Sequence, residues 1–231
     1  MKRLSFALIC LLFALCSTPP VANRENIAGL CSQFFQSEKL MSKGFGELRI
    51  SANGQKASTK FGLQSSGNSN AKIDIYSFFG KTIAALSFDS SNVWTLTDDE
   101  GIHTKLPEDS VFSNTAFFNY PFSNVEFFRI LTGRLIDGVI ISRPPDSIDY
   151  KGKKSFLYWN DTIGSNRIFL VTAEVNRKHS IVTDVIYSKT GRNSCKLTFS
   201  SFTRGIAREI RFNDINNNYF YLKYEKIVFP E

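Results

Sequence analysis

The sequence predicts a mainly β domain with two or three helices, its antiparallel strands curved into an incomplete barrel. Three observations carry this. Short runs of alternating apolar and polar residues recur about a dozen times, tight turn signals separate them, and two stretches break the alternation with helical spacing.

The chain opens with Lys2 and Arg3, an almost uninterrupted apolar run from Leu4 to Cys16, and a Ser-Thr-Pro-Pro break. That order is an export signal. As a helix rising 1.5 Å per residue, the run falls about 10 Å short of a ~30 Å hydrocarbon core. Phe13-Ala14-Leu15-Cys16 fits a lipoprotein signal cut before Cys16, which then carries the lipid anchor and leaves Ser17-Thr18-Pro19-Pro20 as a tether. Cleavage after Cys16 or after Ala22, giving a soluble protein, is the alternative. Residues 1–22 are thus signal and tether, and residues 23–231 form one domain, with no repeat or low-complexity linker dividing them.

Ile27, Leu30, Cys31, Phe34 and Phe35 fall on one face of a helix ending near Leu40. From Gly44 the period changes to two. Leu48 and Ile50 alternate with charged and polar neighbours, as do Phe61 and Leu63, and Asn53-Gly54 between them signals a hairpin. Further strands are expected near 70–76, 81–89, 91–97 and 102–106. Around Val125, Phe128, Ile130, Leu131 and Leu135 helical spacing returns. Strands resume near 148–151, 155–160, 165–174, 180–188, 194–203, 206–213 and 219–228, with turns rich in Gly and Asn between them. Short strands and tight connections make the sheet antiparallel.

Composition narrows the function. Phe contributes 22 residues and aromatic residues make up 14% of the chain, stiff apolar surface that either fills a core or lines a cavity. Of four cysteines, Cys10 and Cys16 lie in the signal region, leaving Cys31 and Cys195 as a disulfide pair or as buried thiols. The net charge of +7 includes Lys2 and Arg3, so the mature chain is mildly basic, a balance that suits anionic lipid head groups.

Catalytic signatures do not stand out. His103 and His179 have no ligand partners at metal spacing, and no nucleophile elbow or phosphate-binding loop occurs. Asp98-Asp99-Glu100-Gly101 lacks the later ligands of a calcium loop and reads as a solvated turn. Lys151-Gly152-Lys153-Lys154 is a turn tip without the aromatic interleaving of a nucleic-acid site. The expectation is a binding protein without enzymatic activity, metal, cofactor or nucleic-acid partner.

Element order then points to a family. A helix after a signal, Lys43-Gly44-Phe45-Gly46-Glu47-Leu48-Arg49-Ile50, a hairpin, and the stretch from Ile73 to Leu86 through Ser77-Phe78-Phe79-Gly80 resemble LolB, the outer-membrane lipoprotein receptors of the LolA/LolB lipoprotein-localisation superfamily. The acidic turn from Thr97 to Gly101, the segment from Pro121 to Gly133 and the closing strand from Tyr219 continue the resemblance over most of the mature chain.

The resemblance implies a half-barrel of about eleven strands with helices closing its concave side, and a cavity that holds lipoprotein acyl chains. It implies receipt of cargo from a periplasmic LolA-like carrier and delivery into the inner leaflet of the outer membrane. The protein would be a monomer, lipid-anchored at the periplasmic face. Leu48, Ile50, Phe61, Leu63, Ile73 and Ile75 are the expected cavity wall. Phe78, Phe79 and Gly80 form the expected membrane-insertion loop, Phe79 preceding its Gly as the family's protruding apolar residue does, while Phe78 is expected to fold back onto the core. The alternative is an envelope lipoprotein of the same fold that serves another assembly as a structural or interaction module.

Overall fold

The structure, a computed structural model, describes residues 41–66, 70–91, 93–106, 124–132, 145–162, 168–176, 181–189, 194–204 and 206–229. The signal with Cys16, the expected N-terminal helix with Cys31, and His179 lie outside these residues.

Among the described residues thirteen strands form one sheet. In chain order they are β1 Lys43–Ala52, β2 Gln55–Ser66, β3 Asn70–Tyr76, β4 Thr82–Phe88, β5 Trp94–Asp98 and β6 His103–Leu106, then helix α1 Asn124–Leu131. After the helix come β7 Ser147–Lys151, β8 Lys154–Thr162, β9 Ile168–Asn176, β10 Ile181–Lys189, β11 Ser194–Thr203, β12 Ile206–Asn213 and β13 Tyr219–Val228.

Hairpins connect most neighbours, and β1 pairs with both β2 and β13, so the sheet runs from β6 through β1 and β13 to β7. All pairs are antiparallel. The sheet stays open between β6 and β7, as an incomplete barrel does. The count exceeds the eleven that the resemblance implies, because short β6 and β7, each paired on one side, extend the two ends.

The sheet is strongly curved, and one ring measures it. Phe127 of α1 stands 5.6 Å from Trp94 on β5 and 5.9 Å from Phe220 on β13. Those strands are five steps apart in the sheet, which at about 4.8 Å per step would separate them by ~24 Å if it were flat. Phe128 stacks on Phe88 with ring centroids 4.9 Å apart, so α1 lies on the concave face.

Alternation sorts the residues between the two faces. Inward positions give one core, with Phe61, Leu63, Ile73, Phe88, Trp94, Leu157, Trp159, Val185, Leu197, Ile210, Phe212 and Tyr224 buried. The convex face is polar and cross-linked. Arg49 bonds Glu47 at 2.7 Å and lies over the Tyr221 ring, Ser58 also donates to Glu47, and Lys196 pairs with Asp184 at 2.7 Å. Lys151 and Lys154 of the basic turn pair with Asp149 and Glu174.

Two glycines of β1 allow the close approach of β13, Gly44 to the Tyr224 ring and Gly46 to the Lys223 backbone. A Cβ on Gly44 would lie 2.6 Å from the Tyr224 ring, and one on Gly46 would lie 1.9 Å from the Lys223 carbonyl oxygen. The ladder between β1 and β13 slips at this place, Phe45 facing Lys226 and Gly46 facing Tyr224, so Glu225 is the extra residue of a bulge.

Candidate functional site: an apolar concave face that opens at one rim

The six positions expected to line a cavity share the concave face. Register shows it directly, since Leu48 faces Leu222, Ile50 faces Phe220, Leu63 faces Ile73, and Phe61 faces Ile75. Sequence alternation placed residues of one strand together, whereas cross-strand register places the three strands together.

Accessibility along that face is graded. At one end, Gly44, Leu63, Ala71, Phe88 and Trp94 are buried beneath α1 and Tyr224. Toward the other end Leu48, Ile50, Ile75, Ala84, Leu86 and Leu96 are only half-buried, while Ala52, Phe212 and Phe220 of β1, β12 and β13 are buried there. Phe61, Leu63 and Ile73 therefore belong to the packed core, and Phe61 meets the Tyr224 ring edge-on at 5.3 Å. Ala84, Leu86 and Leu96 were missed by sequence reasoning, although the alternation of β4 and β5 carried the signal.

The half-buried end leads to the rim that carries the turn from Ser77 to Lys81, and this turn has two close counterparts. In Ser77–Lys81, Asp98–Ile102 and Asp214–Asn218 the first N–H donates to the fifth carbonyl, at 2.7, 3.2 and 2.9 Å. The first carbonyl accepts from the fourth N–H at 3.0, 3.2 and 3.2 Å. A side-chain oxygen of the first residue, Ser77, Asp98 or Asp214, accepts from the fifth N–H at 3.2, 2.8 and 2.8 Å. The fourth residue has positive φ in each, Gly80 at 80°, Gly101 at 83° and Asn217 at 61°. Gly80 thus serves the turn itself, because the left-handed conformation favours glycine.

The middle two positions are free of these demands. They hold Asp99 and Glu100 in one counterpart and Ile215 and Asn216 in the other, but Phe78 and Phe79 here. Phe79 is 92% exposed, and Phe78 is 97% exposed instead of folding back onto the core. The reason is geometric. The turn's hydrogen bonds point both middle side chains away from the sheet end, and the two rings meet each other edge-on at 5.5 Å. The Thr59 hydroxyl, donating to the Tyr76 carbonyl, ties the base of the turn to β2.

Chemistry for a reaction does not converge here. Among the described residues no three or more His, Cys, Asp or Glu side chains stand together as a metal site. His103 is exposed and its Nδ1 pairs with the Thr97 hydroxyl at 2.8 Å. The Asp98 carboxylate accepts the backbone N–H groups of Glu100 and Ile102, the work of a turn and not of a calcium ligand. Cys195 is buried, and burial pushes its thiol pKa up to about 11. No helix among the described residues is long and apolar enough to cross a membrane.

Comparison with known proteins finds similarity of structure alone, since no family model and no curated protein matches the sequence. A domain from Vibrio parahaemolyticus described as an outer membrane lipoprotein-sorting protein superposes with a TM-score of 0.59 at 9% identity, covering 90% of this chain and 93% of its own. A DUF1329 family protein from Desulfovibrio piger gives 0.60 at 11%, covering 92% and 94%. A LolA superfamily protein from Nitrosomonas europaea gives 0.60 at 10%, covering 91% and 95%. This chain shares their fold. The similarity reaches the LolA superfamily in architecture and does not single out LolB.

Proposed function

We propose that the protein is a lipid-binding envelope protein that holds the acyl chains of lipoproteins on its concave face and releases them at a membrane touched by the Phe78-Phe79 turn. The carrying observation is the grading of the concave face, whose accessible apolar surface opens at the rim where two Phe rings project into water. An acyl chain laid on Leu48, Ile50, Ile75 and Leu86 gains about 0.8 kcal/mol for each CH₂ removed from water, so such a surface is sufficient without a catalytic group. The lipoprotein-sorting description of a protein with this fold supports the same cargo.

Burying one exposed Phe stabilises by about 1.5–3 kcal/mol, so two rings entering a bilayer interface contribute enough to direct release without anchoring the protein by themselves. In this reading Cys16 is lipidated and holds the protein at the periplasmic face of the outer membrane. A LolA-like carrier delivers the cargo, and the protein acts as a monomer.

The packed half of the concave face, filled by α1 and Tyr224, favours a second reading in which the protein is an interaction module of an envelope assembly. Two measurements separate the readings. Organic extraction of the purified protein should yield acylated lipid or lipoprotein under the first reading and none under the second. Phe79→Glu should leave the fold and cargo binding intact while slowing transfer of acylated cargo to vesicles at least tenfold. An unimpaired transfer rate rejects the membrane role. Mass spectrometry of the N-terminal peptide decides the anchor, an unmodified peptide starting at Ser17 or Asn23 excluding lipidation of Cys16.

A further inference from the structure

The turns Ser77–Lys81 and Asp214–Asn218 share their hydrogen bonds, and both present exposed apolar side chains, Phe78 with Phe79 in one and Ile215 in the other. What lies behind them differs. Behind the second turn Ala52, Phe212 and Phe220 are buried, so the concave face is closed there. Behind the first, Ile75, Ala84, Leu86 and Leu96 stay half-buried, and the apolar floor is open.

The surroundings of the two turns differ in the same direction. Seven large apolar side chains are exposed among the described residues, and four of them, Phe78, Phe79, Ile83 and Ile102, follow one another along the rim from β3 to β6. Ile83 lies two residues past the Phe turn, where Ile75 faces Ala84 but Tyr76 faces Thr82. It is therefore the extra residue of a bulge, and it is 41% exposed. Ile102, 56% exposed, closes the Asp98–Ile102 turn, which the pairing of Ala84 with Asp98 sets two strand spacings, or ~10 Å, from the Phe turn. Ile215 stands instead among Asn53, Asn216, Asn217 and Asn218, whose amides would lose water if that turn were buried.

Charge does not distinguish a partner for the longer apolar run. Lys56 and Lys81 are exposed beside it, as are Asp99 and Glu100, while Lys60 pairs with Glu225 and Asp98 accepts the N–H groups of its own turn. Two lysines thus meet two carboxylates. Shape decides instead, because the four apolar side chains stand on turns and a bulge of the rim and do not line a groove. They fit a surface that yields around each of them, as the boundary between head groups and acyl chains does.

We infer that the membrane contact is a line and not a point, running from Phe78 and Phe79 through Ile83 to Ile102. This line seats the β3–β6 side of the rim on the bilayer, so that the open floor of Ile75, Ala84, Leu86 and Leu96 empties into lipid while the Ile215 side stays in water. The inference rests on the membrane-contact reading above, which requires the Phe tip alone.

Single tryptophans placed in the full chain by Phe79→Trp, Ile102→Trp and Ile215→Trp test it, because Trp94 and Trp159 are fully buried and give a constant background. Each variant is mixed with vesicles of phosphatidylcholine and phosphatidylethanolamine containing brominated phospholipid. Quenching is expected at positions 79 and 102 and not at 215. In the Phe79→Trp chain, adding Ile102→Ser should weaken partition into vesicles roughly fivefold, as loss of a partly buried Ile does, and adding Ile215→Ser should leave it unchanged. An unquenched Ile102→Trp, or a partition that Ile102→Ser does not alter, overturns the line and keeps the Phe tip. Equal quenching of Ile215→Trp overturns the one-sided seating. Quenching at none of the three positions overturns the membrane-contact reading and the line with it.

Discussion

The hydroxyl of Tyr224 on β13 donates to the carbonyl of Leu131 at the end of α1, 93 residues away in sequence. That carbonyl belongs to the last turn of the helix, where no intrahelical donor is available. The same tyrosine packs its ring on Phe61, and burial holds its phenol protonated well above the ordinary range. One side chain therefore connects helix, sheet centre and concave floor.

Tyr224→Phe keeps the ring and removes the donor, leaving the Leu131 carbonyl buried without this partner. The expected loss is about 1–3 kcal/mol in urea denaturation, with faster amide exchange in α1. Unchanged stability would mean that α1 is held by its Phe contacts alone.

Gly46→Ala should cost more than Gly44→Ala, although both glycines lie against β13. The added methyl at Gly46 meets backbone, the Lys223 carbonyl, whereas at Gly44 it meets the side chains of Tyr224 and Met41. Overpacking of this kind costs about 1–3 kcal/mol, with the backbone clash at the upper end or beyond. Thermal denaturation of the two variants gives the order.

Polar substitution of the Phe pair should leave stability intact. Both rings are almost entirely exposed, so Phe78→Ser and Phe79→Ser are expected within about 0.5 kcal/mol of the parent protein. A loss of ~2 kcal/mol or more in either would show that the rings pack on the body of the protein and would remove the case for membrane contact.

Acyl-chain binding should respond to the open half of the concave face. Leu48→Asp and Ile75→Asp introduce a charge on half-buried positions and should weaken binding of a fluorescent fatty acid at least tenfold in folded protein. Phe61→Asp places its charge in the packed core and should unfold the chain, so its circular dichroism, not its binding, is the informative measurement. Unchanged affinity in the first two variants would place the ligand elsewhere.

Cys195 supplies a pH dependence with a defined sign. Its folded pKa of about 11 lies above the ordinary thiol value of 9.0 because burial disfavours the thiolate. The unfolded chain loses this proton first as pH rises, so the contribution to stability is complete below about pH 9 and is lost by about pH 11. A maleimide at pH 8 should label this thiol only on global unfolding, and rapid labelling of the native protein would contradict its burial. Cys195→Ala should flatten the stability profile across the same window.

Much of the strand grammar was legible in the sequence. β3, β11, β12 and β13 fall where the alternation places them, because each has one buried and one solvated face and period two records that asymmetry. The helical spacing from Val125 to Leu131 likewise marks α1. Even the unusual turn was visible, since two Phe residues between Ser77 and Gly80 contradict the polar composition of a solvated tip.

What the sequence determined by itself was therefore local: strands, turns, one helix, and sets of side chains sharing a face within each strand. Tertiary structure decided everything that depends on strands meeting. Register brought Leu48, Ile50 and Ile75 onto one concave face, and curvature placed Phe127 between β5 and β13. The seating of α1 and Tyr224 divided the expected cavity wall into packed core and open surface, while the turn's hydrogen bonds sent Phe78 outward with Phe79. Period and turn composition are written in neighbouring residues, whereas burial is set by which distant side chains compete for the same volume, and that competition is resolved only when the sheet curves and the helix settles on it.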